Sequence, residues 1–146
     1  MPTTYVEFTH NPAIAGNACA ICAPAIMLGT IGLRRLTVQA PGNNRVKLTR
    51  HAANASGGTS LTIRPMSDGG APAITVLRTG SVTYPNSANI ELTAKVKSDG
   101  TYSENVIEPS DGDRLSIGQG HSIALSFLDD HDADYVIGIL LEEPSL

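Results

Sequence analysis

Two cysteines three residues apart, Cys19 and Cys22, have the spacing used by redox centres and by half of a zinc site. The surrounding residues argue against both uses. In an extended strand three residues span about 10 Å and the two side chains leave on opposite faces, too far apart for a disulfide. His10, His51, His121 and His131 form no closely spaced histidine pair that would complete a zinc shell. The two cysteines therefore read as buried free thiols, which suit synthesis in a reducing cytosol.

The acidic run Asp129-Asp130-His131-Asp132-Ala133-Asp134 is the other place where residue types and spacing suggest chemistry. Asp130, Asp132 and Asp134 match the first three ligand positions of a calcium loop. The register then fails, because Tyr135 stands where the sharp turn needs glycine and Leu141 stands where a bidentate glutamate should close the shell. The run reads as a charged hairpin turn that keeps two hydrophobic strands soluble, with a weak surface ion as the other reading. Hydrolytic chemistry needs a nucleophile on a strained turn, and no G-x-S-x-G occurs. Gly118-Gln119-Gly120 is a lone G-x-G followed by strand-type residues, so it reads as a turn rather than a dinucleotide fingerprint. No catalytic, cofactor-binding or metal-ligating residue is assigned, and the expectation is a protein that is not an enzyme and uses no cofactor.

The elements that hold these residues are strands. With 41% hydrophobic residues but no Trp, two Phe and four Tyr, the core must be built from Val, Ile, Leu and Ala. Fourteen Gly and nine Pro, spread along 146 residues, oppose long helices and supply turns. Turn signals recur at 41–44, 56–58, 68–70, 84–86, 98–100, 110–112 and 129–132. Between them Ile90, Leu92, Ala94 and Val96 alternate with Glu91, Thr93, Lys95 and Lys97, a period of two. Val46/Leu48, Leu61/Ile63, Leu115/Ile117 and Ile123/Leu125/Phe127 alternate likewise. Adjacent Arg34 and Arg35 break the alternation of 33–39 and predict a bulge or a strand end. Residues 51–55 are read as one helical turn. The sum is an all-β chain of eight or nine strands: an antiparallel two-sheet sandwich, with a jelly roll as the expected topology. Residues 1–13 are read as an extended N-terminal arm and 14–146 as a single sandwich domain.

Three segments are apolar on both faces: residues 18–28, 73–77 and Tyr135 to Leu141. One face of such a strand fills a core, and the other, carrying Val136 and Leu140, calls for a cover that a neighbouring subunit would provide. Charge is uneven along the chain, with a net +4 over residues 1–73 and −8 over residues 74–146. Interleaving of distant strands in a sandwich would mix these halves; otherwise a basic face of one subunit would meet an acidic face of another. No basic cluster is interleaved with aromatics, which disfavours nucleic acid as a partner. The uncharged stretch from Thr9 to Leu33 is interrupted by Asn11, Pro12, Gly16, Asn17, Pro24, Gly29 and Gly32, which disfavours a membrane span.

The ordered strings Arg45-Val-Lys-Leu-Thr-Arg50, Ser56-Gly-Gly-Thr-Ser-Leu-Thr-Ile-Arg-Pro65 and Ala71-Pro-Ala-Ile74 resemble the small head-decoration, or cement, proteins of tailed bacteriophages. The turn Leu115-Ser-Ile-Gly-Gln-Gly120, the strand Ile123 to Phe127 and a terminal aliphatic strand ending Glu142-Glu143 add to the resemblance, which spans about residues 30 to 143. It implies a jelly-roll protein that forms a homotrimer. Such a trimer sits on the outer surface of an icosahedral head, binds the major capsid protein of the same virion and stabilises the shell, after synthesis in the host cytoplasm.

On that reading the candidate trimer interface comprises Ile74, Val76, Val136, Ile139 and Leu140. The candidate capsid-contact arm comprises Pro12, Ile14, Asn17, Ile21 and Pro24. The competing expectation is a receptor- or glycan-binding sandwich of a virion or tail fibre, for which Tyr84 and Tyr102 are the available aromatic platforms.

Overall fold

The computed structural model describes residues 3–66, 73–85, 87–108 and 115–144, with the side chains of residues 89 and 90 left aside. The turns expected at 68–70 and 110–112 lie outside those residues. Within them the chain is all β and contains no helix. The strands are β1 (Thr3–His10), β2 (Gly16–Cys22), β3 (Ile31–Ala40), β4 (Asn44–His51), β5 (Ser56–Leu61) and β6 (Arg64–Pro65). They continue with β7 (Val76–Thr83), β8 (Ala88–Val96), β9 (Ser103–Ile107), β10 (Leu115–Ile117), β11 (Ser122–Phe127) and β12 (Tyr135–Glu142).

Two antiparallel sheets pack face to face. One runs β10-β3-β12-β1-β6, with β9 also against β3, and the other runs β5-β7-β2-β11-β4-β8. The pairing follows a chain folded back on itself: β1 lies against β12, β2 against β11, β3 against β9 and β10, and β4 against β8. Those pairs, dealt alternately to two sheets, make a jelly roll. The segment β5–β7 is inserted between β4 and β8, with β5 and β7 widening one sheet and β6 the other.

Period-two patterning decides which side chains enter the core. In β12, Tyr135, Ile137, Ile139 and Leu141 are wholly buried, while Val136 and Leu140 point outward and are half-buried. They meet Ile123, Leu125 and Phe127 of β11 and Leu36 and Val38 of β3 in one continuous core. Phe127 and Tyr135 pack as tilted rings with centroids 4.9 Å apart.

Ile139, expected at a trimer interface, is instead a core residue, because it shares the inward parity of Ile137 and Leu141. The outer face of β12 is partly covered by the chain itself. Gly138 leaves room where a Cβ would collide with the Tyr5 hydroxyl and Thr37 Oγ1, so both side chains lie over the strand.

Residues 3–10, expected to belong to a loose arm, form β1, which pairs with β12 at eight positions and with β6 on its other side. Thr4 and Val6 point inward and are buried, an alternation short enough to be missed among polar neighbours. A domain boundary at residue 13 therefore does not separate an arm from the sandwich. The expected helical turn at 51–55 is absent as well. Ser122 Oγ donates to the Ala53 carbonyl at 2.6 Å and Asn54 Nδ2 to the Ala23 carbonyl at 3.1 Å, which hold this stretch across the sheet instead of coiling it.

The expected bulge at Arg34-Arg35 is present: the β12–β3 register slips between Leu140 and Leu141, and both arginines face solvent. In β2, Ala18, Cys19 and Ile21 enter the main core, while Ala20 and Cys22 point the other way. Ala55, Val82 and Tyr84 cover them, and Tyr84 stacks on His51 with ring centroids 3.9 Å apart. The second apolar face of this strand is thus closed by the protein's own insertion.

Ile139→Ala is expected to cost about 2–5 kcal/mol in urea-denaturation stability, as a core truncation does. Leu140→Ala, on the outer face of the same strand, is expected to cost under about 1.5 kcal/mol. Equal losses would overturn the assigned facing of β12.

Candidate functional site

The cysteines sit as strand geometry requires. Cys19 lies in the main core and Cys22 in the smaller cluster on the opposite face of β2, and both are free. Burial pushes the Cys19 thiol up to about 12 and raises that of Cys22, so neither is poised as a thiolate nucleophile or ligand. Among the described residues no group of three or more His, Cys, Asp or Glu is placed to hold a metal ion.

The acidic loop between β11 and β12 is a fastener. Three of its four carboxylates diverge, each toward a different partner. Arg45 of β4 donates Nε to Asp129 Oδ2 at 3.0 Å and Nη2 to Oδ1 at 2.8 Å. The Ala15 amide donates to Asp130 Oδ1 at 2.6 Å, and Asn11 Nδ2 to Asp132 Oδ1 at 3.0 Å. Between them the His131 amide donates to the Pro12 carbonyl at 2.8 Å, and its ring lies against Gly42, where a Cβ would not fit. The Tyr135 hydroxyl reaches the Gly42 carbonyl at 3.0 Å and His131 Nδ1 at 3.1 Å. One loop thereby ties the β1–β2 and β3–β4 connections together at one end of the sandwich. Carboxylates aimed in three directions do not converge on a cation.

A second fastener stands at the other end of β12. Glu143 is buried, and its Oε2 accepts from the Ile74 amide at 3.0 Å, the Thr75 amide at 2.7 Å and the Thr75 hydroxyl. Ile74, expected at a trimer interface, is held here and packs partly against the core. Beside it Arg34 Nη1 meets Glu142 Oε1 at 2.8 Å. Three ion pairs between described residues, Arg34–Glu142, Arg45–Asp129 and Lys47–Glu91, join the basic first half of the chain to the acidic second half. Strand interleaving uses the charge asymmetry inside one molecule.

The residues expected to meet other proteins are dispersed. Pro12 is buried under the acidic loop, and Ile21 lies in the core, because β2 is a central strand and not part of an arm. Asn17 is half-buried and its Oδ1 accepts from Ser126 Oγ at 2.7 Å. Pro24 is half-buried, and its carbonyl accepts from the Gly120 amide at 2.8 Å. The His121 amide donates to the Gly118 carbonyl at 3.2 Å, so Gly118-Gln119-Gly120 forms a turn, as its spacing indicated. Of the interface set, Val76 is exposed, and Val136 and Leu140 are half-exposed on the other sheet. Of the arm set, Ile14 alone is open to solvent, at 84%.

Two further aliphatic side chains, included in the double-sided segment 18–28 but not named as contact residues, are as open: Ile26 at 88% and Leu28 at 86%, on the β2–β3 loop, because β2 ends at Cys22. Met27 between them is buried, so the loop is pinned and its neighbours are thrust outward. The uncharged run from Pro24 to Gly29, bounded by residues that stop a strand, was the available signal. Tyr102 is exposed, whereas Tyr84 packs on His51, leaving one of the two expected aromatic platforms free.

No protein-family model matches this chain, and neither curated proteins nor solved structures give a match. Among the described residues no helix is long and apolar enough to cross a membrane.

Bonding to Arg45 holds the Asp129 carboxyl below its ordinary value. A group depressed in the folded state stabilises at pH above its unfolded value, about 3.9, and that contribution fades as pH falls through the lower folded value. Carboxyl-carbon NMR titration is expected to show Asp129 titrating below the usual aspartate range and returning toward it in Arg45→Ala; no difference would show the pair to be inconsequential. Glu143→Ala, which leaves two amides and a hydroxyl without their acceptor, is expected to cost about 1–3 kcal/mol in denaturant unfolding.

Proposed function

We propose that this protein is a structural component of a bacteriophage virion, a homotrimer that binds the outer surface of the capsid and cements it. The observation that carries this reading is the loop Ile26-Met27-Leu28. Its buried centre fixes two aliphatic side chains at 86–88% exposure, a costly arrangement in water that is relieved when they enter apolar depressions on another protein. The jelly-roll fold and the resemblance over residues 30 to 143 support a capsid as the class of partner.

In this reading the described polar groups serve as internal fasteners, as the acidic loop and Glu143 do. A cement must outlast the pressure of packaged DNA, and a closed network of this kind resists opening. The outer face of β12, with Val136 and Leu140, and the exposed Val76 remain the surfaces for contact between protomers; Ile139 does not belong to them. Three protomers on a three-fold site would bind through three equivalent footprints, so modest contacts combine by effective concentration. A ligand specific to the intact shell stabilises that shell by linkage.

The test mixes the purified protein with undecorated phage heads and pellets them. Wild-type protein is expected to co-sediment and to raise the temperature at which heads disrupt. The double substitution Ile26→Asp with Leu28→Asp is expected to abolish co-sedimentation while leaving the melting temperature of the free protein nearly unchanged, since both sites are at the surface. Retention on a glycan panel with no affinity for heads would overturn the proposal, and a monomer at every concentration by sedimentation would overturn the trimer.

A further inference from the structure

Strand β8 is an edge: it pairs with β4 on one side and with no strand on the other among the described residues. It is nine residues long, and its register with β4 runs from Asn44 opposite Val96 to His51 opposite Ala88. The other edges are blunted. β6 has two residues, β10 has three, and β5 is bulged at Gly57 and Gly58, which adopt left-handed backbone. β9 has five residues and exposes Glu104, with Glu108 exposed just past its end, so two antiparallel copies of it would set carboxylates against each other.

We propose that β8 joins two copies of this chain edge to edge, antiparallel about a two-fold axis, with Thr93 opposite Thr93 of the partner subunit. In that register Glu91 stands opposite the partner's Lys95, and Lys95 opposite the partner's Glu91, on the outward face. Leu92 and Ala94 exchange likewise on the inward face. The pattern is self-complementary, as an isologous contact requires.

Two further observations point the same way. Lys95 lies directly opposite Arg45 within the sheet; Asp129 already engages Arg45, while Lys95 itself makes no ion pair among the described residues. A carboxylate from a second copy supplies the partner that Lys95 lacks. Leu92, though of inward parity, is 43% exposed at the mouth of a cleft of about 250 Å³ lined by Val46, Leu48, Ala94 and Ile107. A second copy of β8 continues the sheet past that mouth and extends its apolar face. The contact is independent of any three-fold interface, and trimers that also met through β8 would form a net over a shell.

Sedimentation velocity on four samples tests the contact: wild type, Glu91→Lys, Lys95→Glu and an equimolar mixture of the two variants. Wild type is expected to associate with rising concentration, and less so at high salt. Each variant alone sets like charges opposite and is expected to associate at least about tenfold more weakly. The mixture sets two lysines against two glutamates, and is expected to restore association by pairing one variant with the other. Thermal melts confirm that both variants fold. A mixture that associates no better than its components, or a wild type that shows no β8-dependent association, overturns the proposal. A three-fold assembly unchanged by any of these substitutions would leave the cement reading standing while removing this contact.

Discussion

The inward row of β12, Tyr135, Ile137, Ile139 and Leu141, is the constraint on which the rest of the molecule depends. Four large side chains on a strand flanked by β1 and β3 must face the opposite sheet, where Ile123, Leu125 and Phe127 of β11 receive them. A slip of one residue would place Val136, Gly138 and Leu140 in the core and leave the row in water, so the register is fixed by burial. Tyr135 can be wholly buried because its hydroxyl ends on the Gly42 carbonyl, which also anchors the β3–β4 turn. With β12 set, the first strand of the chain is captured beside the last, and the jelly-roll order follows.

Charge plays a subordinate part. The carboxylates of the β11–β12 loop and the terminal pair Glu142 and Glu143 lie at opposite ends of β12, and at both ends they bind segments distant in sequence. The exposed pairs contribute modestly in water. Glu143, buried with three donors on one oxygen, contributes more, because leaving those donors unpaired would be costly. What looks in the sequence like an electrostatic asymmetry between halves becomes cross-chain stitching, since a jelly roll lays early strands beside late ones.

Among the described residues, the features turned outward include aliphatic loop tips, half-covered side chains on the outer face of β12, and the long free edge of β8. On the proposed reading these are the features by which the protein meets the capsid and its own copies, and the β8 edge would add a self-complementary pattern.

The fold class was legible because strand periodicity is local: Ile123/Leu125/Phe127 and Leu92/Ala94/Val96 announce their faces within a few residues. The paired arginines at 34 and 35 announced the bulge for the same reason, and the opposed faces of Cys19 and Cys22 follow from strand geometry alone. The candidate surface was far less legible. Whether Ile139 or Leu140 meets solvent depends on which parity the opposite sheet covers, and Ile21 and Ile26 look alike as residues though one is core and the other a loop tip. Thr3 to His10 looked like an arm because its inward residues are few, and only β12 lying alongside gave it a ladder. Residue type and spacing determined the strands and their turns; tertiary structure alone decided which apolar faces the chain closes for itself, because burial depends on neighbours far away in sequence.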